Sequence, residues 1–186
     1  MAIDEDYILA MAQGTSWVSP KGSTAPTGMT TPTDPWVDLG AMSTEGLTEN
    51  LAQSRTEFKR WGSIAVFKTV ITDQKHEFKV KFLETNPAVL GLFYRVGTPT
   101  PDATSHIISV TDDTTGKLDP RAFLFDVIEG TNHVRFSVPN GEVTNVDSPV
   151  YKLDGLVEYG VTITAYPDSN GVAVARSYLL DAVVGA

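Results

Sequence analysis

The sequence has no cysteine among its 186 residues. That absence excludes disulfide frameworks, thiolate zinc sites and cysteine nucleophiles together. No stretch reaches the roughly 20 consecutive apolar residues of a membrane span, and the acidic start at residues 1–6 lacks the basic and apolar segments of a secretory signal. We therefore expect a protein that is made in the cytoplasm and does not insert into a membrane.

Side chains that could bind metal or perform catalysis are few. The three histidines, His76, His106 and His133, have no partner at a recognised metal-ligand spacing. The aspartates of the turn 112–119 do not match the spacing of a calcium-binding loop, and no nucleophile elbow or phosphate-binding loop is present. The sequence therefore predicts no metal, no cofactor and no enzymatic activity.

Basic residues are scarce, with 14 Lys and Arg against 23 Asp and Glu and a net charge of −9. Such a chain should repel nucleic acid rather than bind it. Residues 41–95 carry eight basic and six acidic residues, a net charge of +2, whereas the rest carries six and seventeen, a net charge of −11. This basic segment suggests an electrostatic match between copies, although scatter on a solvated face would look the same.

A strong β pattern runs through most of the chain. β-Branched residues are dense at 64–72, and 76–83 alternates with Phe78, Val80 and Phe82 on one face. We predict that these two runs form an antiparallel hairpin with a turn near 73–75. Further strands are predicted at 106–112, 120–128, 133–138, 156–166 and 172–180, separated by turn sequences at 112–116, 129–132, 139–141 and 168–171.

One short helix is predicted after Thr85-Asn86, with Pro87 at its first position and a stop by Gly97. The Pro- and Gly-rich segment 20–35 is predicted to be an extended loop, preceded by a short strand or arm at 7–18. The elements together predict a mainly β protein with a single domain, residues 1–186. Its fold should be an antiparallel β-sandwich or barrel with one short flanking α-helix and long polar loops.

The stretch 47–61 is polar and charged and lies between two β regions. Its apolar residues, Leu47, Leu51, Phe58 and Trp61, could form a helical stripe or stand as separate points along an exposed excursion. The neutral or weak helix formers between them favour the excursion.

Several short segments between residues 36 and 180 have a specific order and spacing. They are Trp36-Val-Asp-Leu-Gly, Glu45-Gly-Leu-Thr, Arg55, Trp61-Gly, Leu83-Glu-Thr-Asn-Pro, Phe136-Ser-Val-Pro-Asn-Gly-Glu-Val-Thr and Val161-Thr-Ile-Thr-Ala-Tyr-Pro-Asp-Ser-Asn-Gly. Taken together, they resemble the major tail tube protein of bacteriophages with long, non-contractile tails (siphovirus type), particularly those of actinobacterial hosts.

The resemblance implies a structural virion protein located in the tail after assembly in the host cytoplasm. In such families six copies form a ring, four strands of each copy join a closed inner barrel, and stacked rings make the tube through which double-stranded DNA leaves. The implied partners are further copies of the chain, a tape measure protein, and tail terminator or baseplate proteins. DNA would pass without specific binding, so we expect acidic side chains to dominate the bore.

The resemblance also implies that 47–61 is a long loop in contact with the next ring. Exposed ion pairs are individually weak, so the apolar residues there should contribute more of the binding energy. The segment 1–35 and the C-terminal tail are candidates for further arms. The predicted inter-ring residues are Leu51, Arg55, Glu57, Phe58, Lys59, Arg60 and Trp61.

Other classes of protein stay open at this point. A tail terminator or baseplate ring protein would share the fold but cap the stack rather than repeat along it. A β-sandwich binding module would present an aromatic platform, whereas Trp17, Trp36 and Trp61 are spread over three regions. An enzyme with an unfamiliar site is the third alternative.

Overall fold

The computed structural model describes residues 8–112 and 116–181. Within them, eight strands form one antiparallel sheet in the order β2-β1-β5-β6-β7-β4-β3, with β8 also paired to β6. The mainly β fold with one short helix is therefore confirmed. The elements are β1 (Gln13–Pro20), β2 (Val37–Asp38), β3 (Thr48–Lys59), β4 (Val66–Phe82), α1 (Pro87–Phe93), β5 (Arg121–Glu129), β6 (Asn132–Val146), β7 (Tyr159–Ala165) and β8 (Ala175–Leu179).

The long strand β6 connects two halves of the sheet. Its first part pairs with β5 and β8, and its last part, from Gly141 to Val146, pairs with β7. Phe78 of β4 stacks on Phe125 of β5 with the ring centroids 5.4 Å apart. The sheet therefore folds back on itself, and its two halves enclose a common core.

The core is aromatic at its centre, as the alternation of 76–83 predicts. Phe78 and Phe82 of β4 are fully buried opposite Phe123 and Phe125 of β5. Helix α1 covers one side of this core and buries every residue from Ala88 to Phe93. A helix of seven residues is too short to be stable alone, so its stability comes from this packing.

Helix α1 begins as the sequence predicts. The Asn86 side chain accepts a hydrogen bond from the Val89 N–H at 2.9 Å, and Pro87 occupies the first turn. The helix ends at Phe93, four residues before Gly97, which follows in a left-handed conformation with φ of 65°.

Replacing Asn86 by alanine should lower the free energy of unfolding by about 1 kcal/mol, because the first turn loses its side-chain acceptor. The Asn86 amide also donates to the Leu39 carbonyl. Asn86→Ser is therefore the matched control, since it keeps a capping oxygen and loses that second bond. Urea denaturation of both variants measures the difference, and equal stabilities would show that the cap contributes nothing.

The predicted hairpin of 64–72 and 76–83 is wrong. Strand β4 runs without interruption from Val66 to Phe82, so the expected turn at 73–75 lies within a strand. Its hairpin partner is β3, from Thr48 opposite Lys79 to Lys59 opposite Val66, which places the turn at 60–65. Both faces of β4 are exposed around 73–75, and a strand exposed on both faces has no apolar alternation to identify it.

The segment 47–61 is strand β3 over most of its length, and so is neither a loop nor a helix. The pairing of β3 with β4 has two irregularities, one between Ser54 and Arg55 and one between Phe58 and Lys59. At each of them β4 contributes one residue more than β3, which is the arrangement of a β-bulge.

Some predicted elements of the second half also differ. Residues 106–112 have no regular structure. The predicted turn at 139–141 is wrong, because β6 continues through Pro139 to Val146. Pro139 lies at a register irregularity opposite β5, where a missing N–H is tolerated. The turn at 112–116, the start of the segment 7–18 and the C-terminal tail lie partly or wholly outside the described residues.

Candidate assembly surface

A long β-hairpin projects from the body of the protein. It consists of residues 48–59 of β3, the turn 60–65 and residues 66–75 of β4, and we call it the arm. Every residue of its two strands is exposed. At about 3.3 Å per residue, the β4 side alone extends about 33 Å. An isolated two-stranded hairpin is marginally stable in water, so the arm is a surface that another molecule would cover.

The arm exposes large apolar side chains. At its tip, Trp61 and Ile64 have relative exposures of 102% and 96%. A concentration of exposed large apolar side chains on one projecting segment indicates an interaction site. The other exposed apolar residues of the arm are Leu51, Phe58, Val66, Phe67, Val70 and Ile71.

The tip is also basic. The tip segment, residues 58–68, contains Lys59, Arg60 and Lys68 and no acidic residue. The turn is closed by a hydrogen bond of 3.1 Å from the Ser63 N–H to the Arg60 carbonyl, and Gly62 supplies the left-handed φ of 77°. The tip segment therefore presents positive charge and exposed apolar side chains together.

All the predicted inter-ring residues lie on the arm, though not on one face of it. The alternation of β3 places Leu51, Arg55 and Glu57 on one face and Phe58 on the other, while Arg60 and Trp61 lie in the turn. Their role between rings stays a prediction. Sequence reasoning missed the exposed residues Ile64, Phe67, Val70 and Ile71, because a run of β-branched and aromatic residues is typical of a buried strand.

A charged contact joins the root of the arm to β8. The Arg176 Nε donates a hydrogen bond of 2.9 Å to Glu49 Oε1, and its Nη2 lies 3.5 Å from His76 Nδ1. His76 Nε2 is in turn 2.9 Å from the Gln74 Nε2. Because Glu49 is on β3, His76 on β4 and Arg176 on β8, this contact fixes the direction in which the arm leaves the body.

The four strands β6, β7, β4 and β3 have a polar face turned away from the core, which we call the outer face. One row across it contains Glu142, Thr164, Glu77 and Asn50, of which Thr164 is buried beside the Thr144 hydroxyl. Next to this row, Lys75 Nζ lies 2.7 Å from Glu77 Oε1. This hydrogen bond raises the pKa of Lys75 and lowers the pKa of Glu77, so both side chains are charged at neutral pH.

The loop 147–158, between β6 and β7, is a second exposed surface. It carries Asp147, Asp154 and Glu158 against a single basic residue, Lys152. Glu158 lies 3.5 Å from Lys81 at the end of β4. Four of its large apolar side chains are exposed, with relative exposures of 59–105%: Val150, Tyr151, Leu153 and Leu156.

A buried ion pair lies inside the body, between β5 and β6. Asp126 and Arg135 are opposite each other in register and are joined by two hydrogen bonds of 2.7 Å. His133 Nε2 lies 3.1 Å from Asp126 Oδ2. Arg135 also donates to the Gly28 carbonyl at 3.0 Å. This cluster therefore holds the Pro-rich loop, which has no regular structure over residues 21–35; Pro20, predicted to lie in the loop, is the last residue of β1.

The described residues offer little for chemistry. They contain no group of three or more His, Asp or Glu side chains that could hold a metal ion. Among residues 8–112 and 116–181, no helix is both long and apolar enough to cross a membrane. The arm and the loop 147–158 each expose several large apolar side chains and are the candidates for function.

A family model described as "Phage tail tube protein" matches residues 1–184. No curated protein matches the sequence.

Several solved structures are similar in fold. One is the sheath/tube terminator of an extracellular contractile injection system, PVC, in its extended state, at 12% identity and a TM-score of 0.48 over 95% of this chain and 99% of that chain. A chain of the anti-feeding prophage baseplate has 7% identity and a TM-score of 0.47 over 95% and 97% of the two chains. The anti-feeding prophage tube terminating cap has 14% identity and a TM-score of 0.44 over 96% and 100%. Because these TM-scores are low, function is inferred from the family match.

Proposed function

Because this chain belongs to the phage tail tube protein family, we propose that its copies form stacked hexameric rings, which make the tube of a long, non-contractile tail. The protein is a structural, non-enzymatic component of the phage tail. In the proposal the tube is the conduit for double-stranded DNA during ejection. Its partners are further copies of itself, a tape measure protein inside the tube, and terminator and baseplate proteins at its ends. Assembly takes place in the host cytoplasm.

The exposed arm is the observation that carries the proposal. A protein that acts as a monomer would leave an entire hairpin, including Trp61 and Ile64, in water. Removing apolar surface from water is favourable in protein association as in folding, so such a hairpin favours association with further copies. We assign contacts between rings to the arm, including the predicted residues Leu51, Arg55, Glu57, Phe58, Lys59, Arg60 and Trp61.

The edges of the sheet support ring closure. In the described part of the chain, β3 pairs only with β4, and residues 142–146 of β6 pair only with β7. Both edges of the four-stranded half therefore keep free backbone hydrogen-bonding groups. Edge-to-edge pairing between neighbouring copies would satisfy these groups and leave no open edge in the ring.

The dimensions of such a ring suit a duplex. Twenty-four strands about 4.8 Å apart and tilted by about 40° give a circumference of about 150 Å and a backbone diameter of about 48 Å. We propose that the outer face of β6, β7, β4 and β3 lines this bore.

On the part of the outer face that runs from Asp73 to Lys81 of β4 and includes Glu142 of β6, three lysines are balanced by three carboxylates, so the bore in this proposal is polar and near neutral rather than acidic. A near-neutral lining still avoids the strong binding that a basic one would produce. The charged residues in question are Lys75, Lys79, Lys81, Asp73, Glu77 and Glu142.

The tip of the arm provides the test. Trp61→Ser combined with Ile64→Ser should abolish tube formation, because both side chains are almost completely exposed and available only to a neighbour. Stability should change by less than about 0.5 kcal/mol, as for other exposed positions. Negative-stain electron microscopy of concentrated protein measures tube formation, and thermal unfolding measures stability.

Ile107→Ser is the matched control, since Ile107 is exposed but lies outside the arm; it should leave the tubes intact. Hollow tubes of uniform width are expected from the parent protein. Tubes of normal length from the double variant would show that the tip of the arm is not required for contacts between rings. Single rings from the parent that never stack would indicate a terminator or baseplate ring protein.

A further inference from the structure

We propose that the tip segment of one copy docks on the loop 147–158 of the next copy along the stack. The inference rests on the proposed function and names the surface that receives the arm. It follows from where the two surfaces lie, from their charges and from their apolar side chains.

The two surfaces lie at opposite ends of the same strand. Strand β4 begins at the tip of the arm with Val66, and its last residue, Phe82, is paired with Tyr159 just after the loop. The 17 residues of β4 separate these ends by about 50 Å. The tip segment therefore cannot reach the loop of its own chain, and only another copy can bring the two together.

The charges of the two surfaces are complementary. The tip segment carries Lys59, Arg60 and Lys68 with no acidic residue, a net charge of +3. The loop 147–158 contains three acidic residues and one lysine, a net charge of −2. The side chain of Asp154 is 87% exposed, and its distance of 4.0 Å from Lys152 leaves it available to a partner. Opposite charges of this kind favour one docking orientation over others.

The apolar side chains match as well. Trp61 and Ile64 at the tip are nearly fully exposed, as is Leu153 on the loop, and Leu156 has a relative exposure of 72%. A depression of about 560 Å³ beside the loop is lined by Val150 and Leu156 together with two acidic residues, Asp147 and Glu158, and two lysines, Lys81 and Lys152. An aromatic anchor that enters a pocket with a polar rim is the usual form of a strong protein contact.

Both ends of the loop are bound to neighbouring strands before any partner arrives. The Asp147 N–H donates a hydrogen bond of 2.8 Å to the Gly160 carbonyl, and Lys81 lies 3.5 Å from Glu158. A loop whose ends are already bound loses less conformational freedom on docking than a free segment would, which favours affinity. The tip and the loop are different surfaces, so their contact is head-to-tail and can repeat without limit along one axis.

Disulfide cross-linking tests the contact, because the absence of native cysteine gives a clean background. Ala65→Cys is introduced in one copy, and Ser148→Cys in a second copy that carries a size tag. The two are mixed, assembled and treated with oxidised glutathione. Docking raises the effective concentration of the two thiols, so the mixed disulfide should form at least about tenfold more than in a control.

Ser169→Cys in place of Ser148→Cys is that control, since this exposed serine follows the opposite end of β7. Charge exchange is the second measurement. Arg60→Glu and Asp154→Arg should each reduce assembly, and the two combined in one chain should restore it.

If tubes form without the disulfide between residues 65 and 148, or if the control disulfide forms to the same extent, the proposed docking surface is wrong. Either result leaves the proposed function intact. If the parent protein forms no tube under any condition, the proposed function fails and this inference fails with it.

Discussion

Replacing Phe78 by alanine is expected to lower the free energy of unfolding by about 3–5 kcal/mol. Phe78 is fully buried, stacks on Phe125 with centroids 5.4 Å apart and meets Phe136 edge to face at 5.6 Å. Alanine would leave a cavity at the point where the two halves of the sheet face each other. The loss is a large part of the 5–15 kcal/mol that stabilises a typical domain.

Strand β4 itself supplies the matched control. Phe67 is the same residue type on the same strand, but it lies on the arm with a relative exposure of 68%. Phe67→Ala should therefore change the free energy of unfolding by less than about 0.5 kcal/mol. Chemical denaturation of both variants gives the comparison. Similar losses for both would mean that the arm packs against the body in solution.

Replacing Asp126 by alanine is expected to cost about 3–5 kcal/mol, since it leaves the guanidinium of Arg135 buried without its partner. Both side chains are only 3% exposed, and two hydrogen bonds of 2.7 Å join them. The same change should loosen the loop 20–35, because Arg135 would no longer be oriented toward the Gly28 carbonyl. Limited proteolysis within this loop should become faster.

Two comparison variants show whether the loss of stability comes from the unpaired buried charge or from shortening an aspartate side chain in general. Asp154→Ala removes a carboxylate that is exposed to solvent and should be nearly neutral. Asp126→Leu combined with Arg135→Met removes both charges and should cost less than Asp126→Ala alone. A loss below about 1 kcal/mol for Asp126→Ala would show that the cluster is solvated in the folded protein.

Much of the body follows from local patterns in the sequence. The alternation around Phe78, the cap at Asn86 and the turn at 168–171 each identify an element correctly, because each depends on neighbouring residues alone. The buried Asp126–Arg135 pair is harder to predict. Two charged residues within apolar strands suggest an ion pair, but their direct opposition depends on the register of β5 and β6.

The exposure and the strand pairing of the arm could not be predicted from the sequence. The residues of 64–72 have the composition of a buried strand and are nevertheless exposed, because nothing else in the described part of the chain packs over them. The polar residues at 73–75 have the composition of a turn and nevertheless lie in a strand, because both faces of β4 are exposed there. Local propensity identifies β structure here, but the pairing with β3 depends on contacts distant in sequence.

The irregularities in the arm have one more consequence. The side-chain period of a strand is two, so a slip of one residue between β3 and β4 would exchange the faces of the whole arm. The pairing shifts after Ser54 and again after Phe58, and the Thr72 hydroxyl donates to the Ser54 carbonyl. A slipped hairpin would have to move both bulges at once. The two strands of the arm are thus restricted to a single register. Every copy therefore offers its neighbours an identical surface.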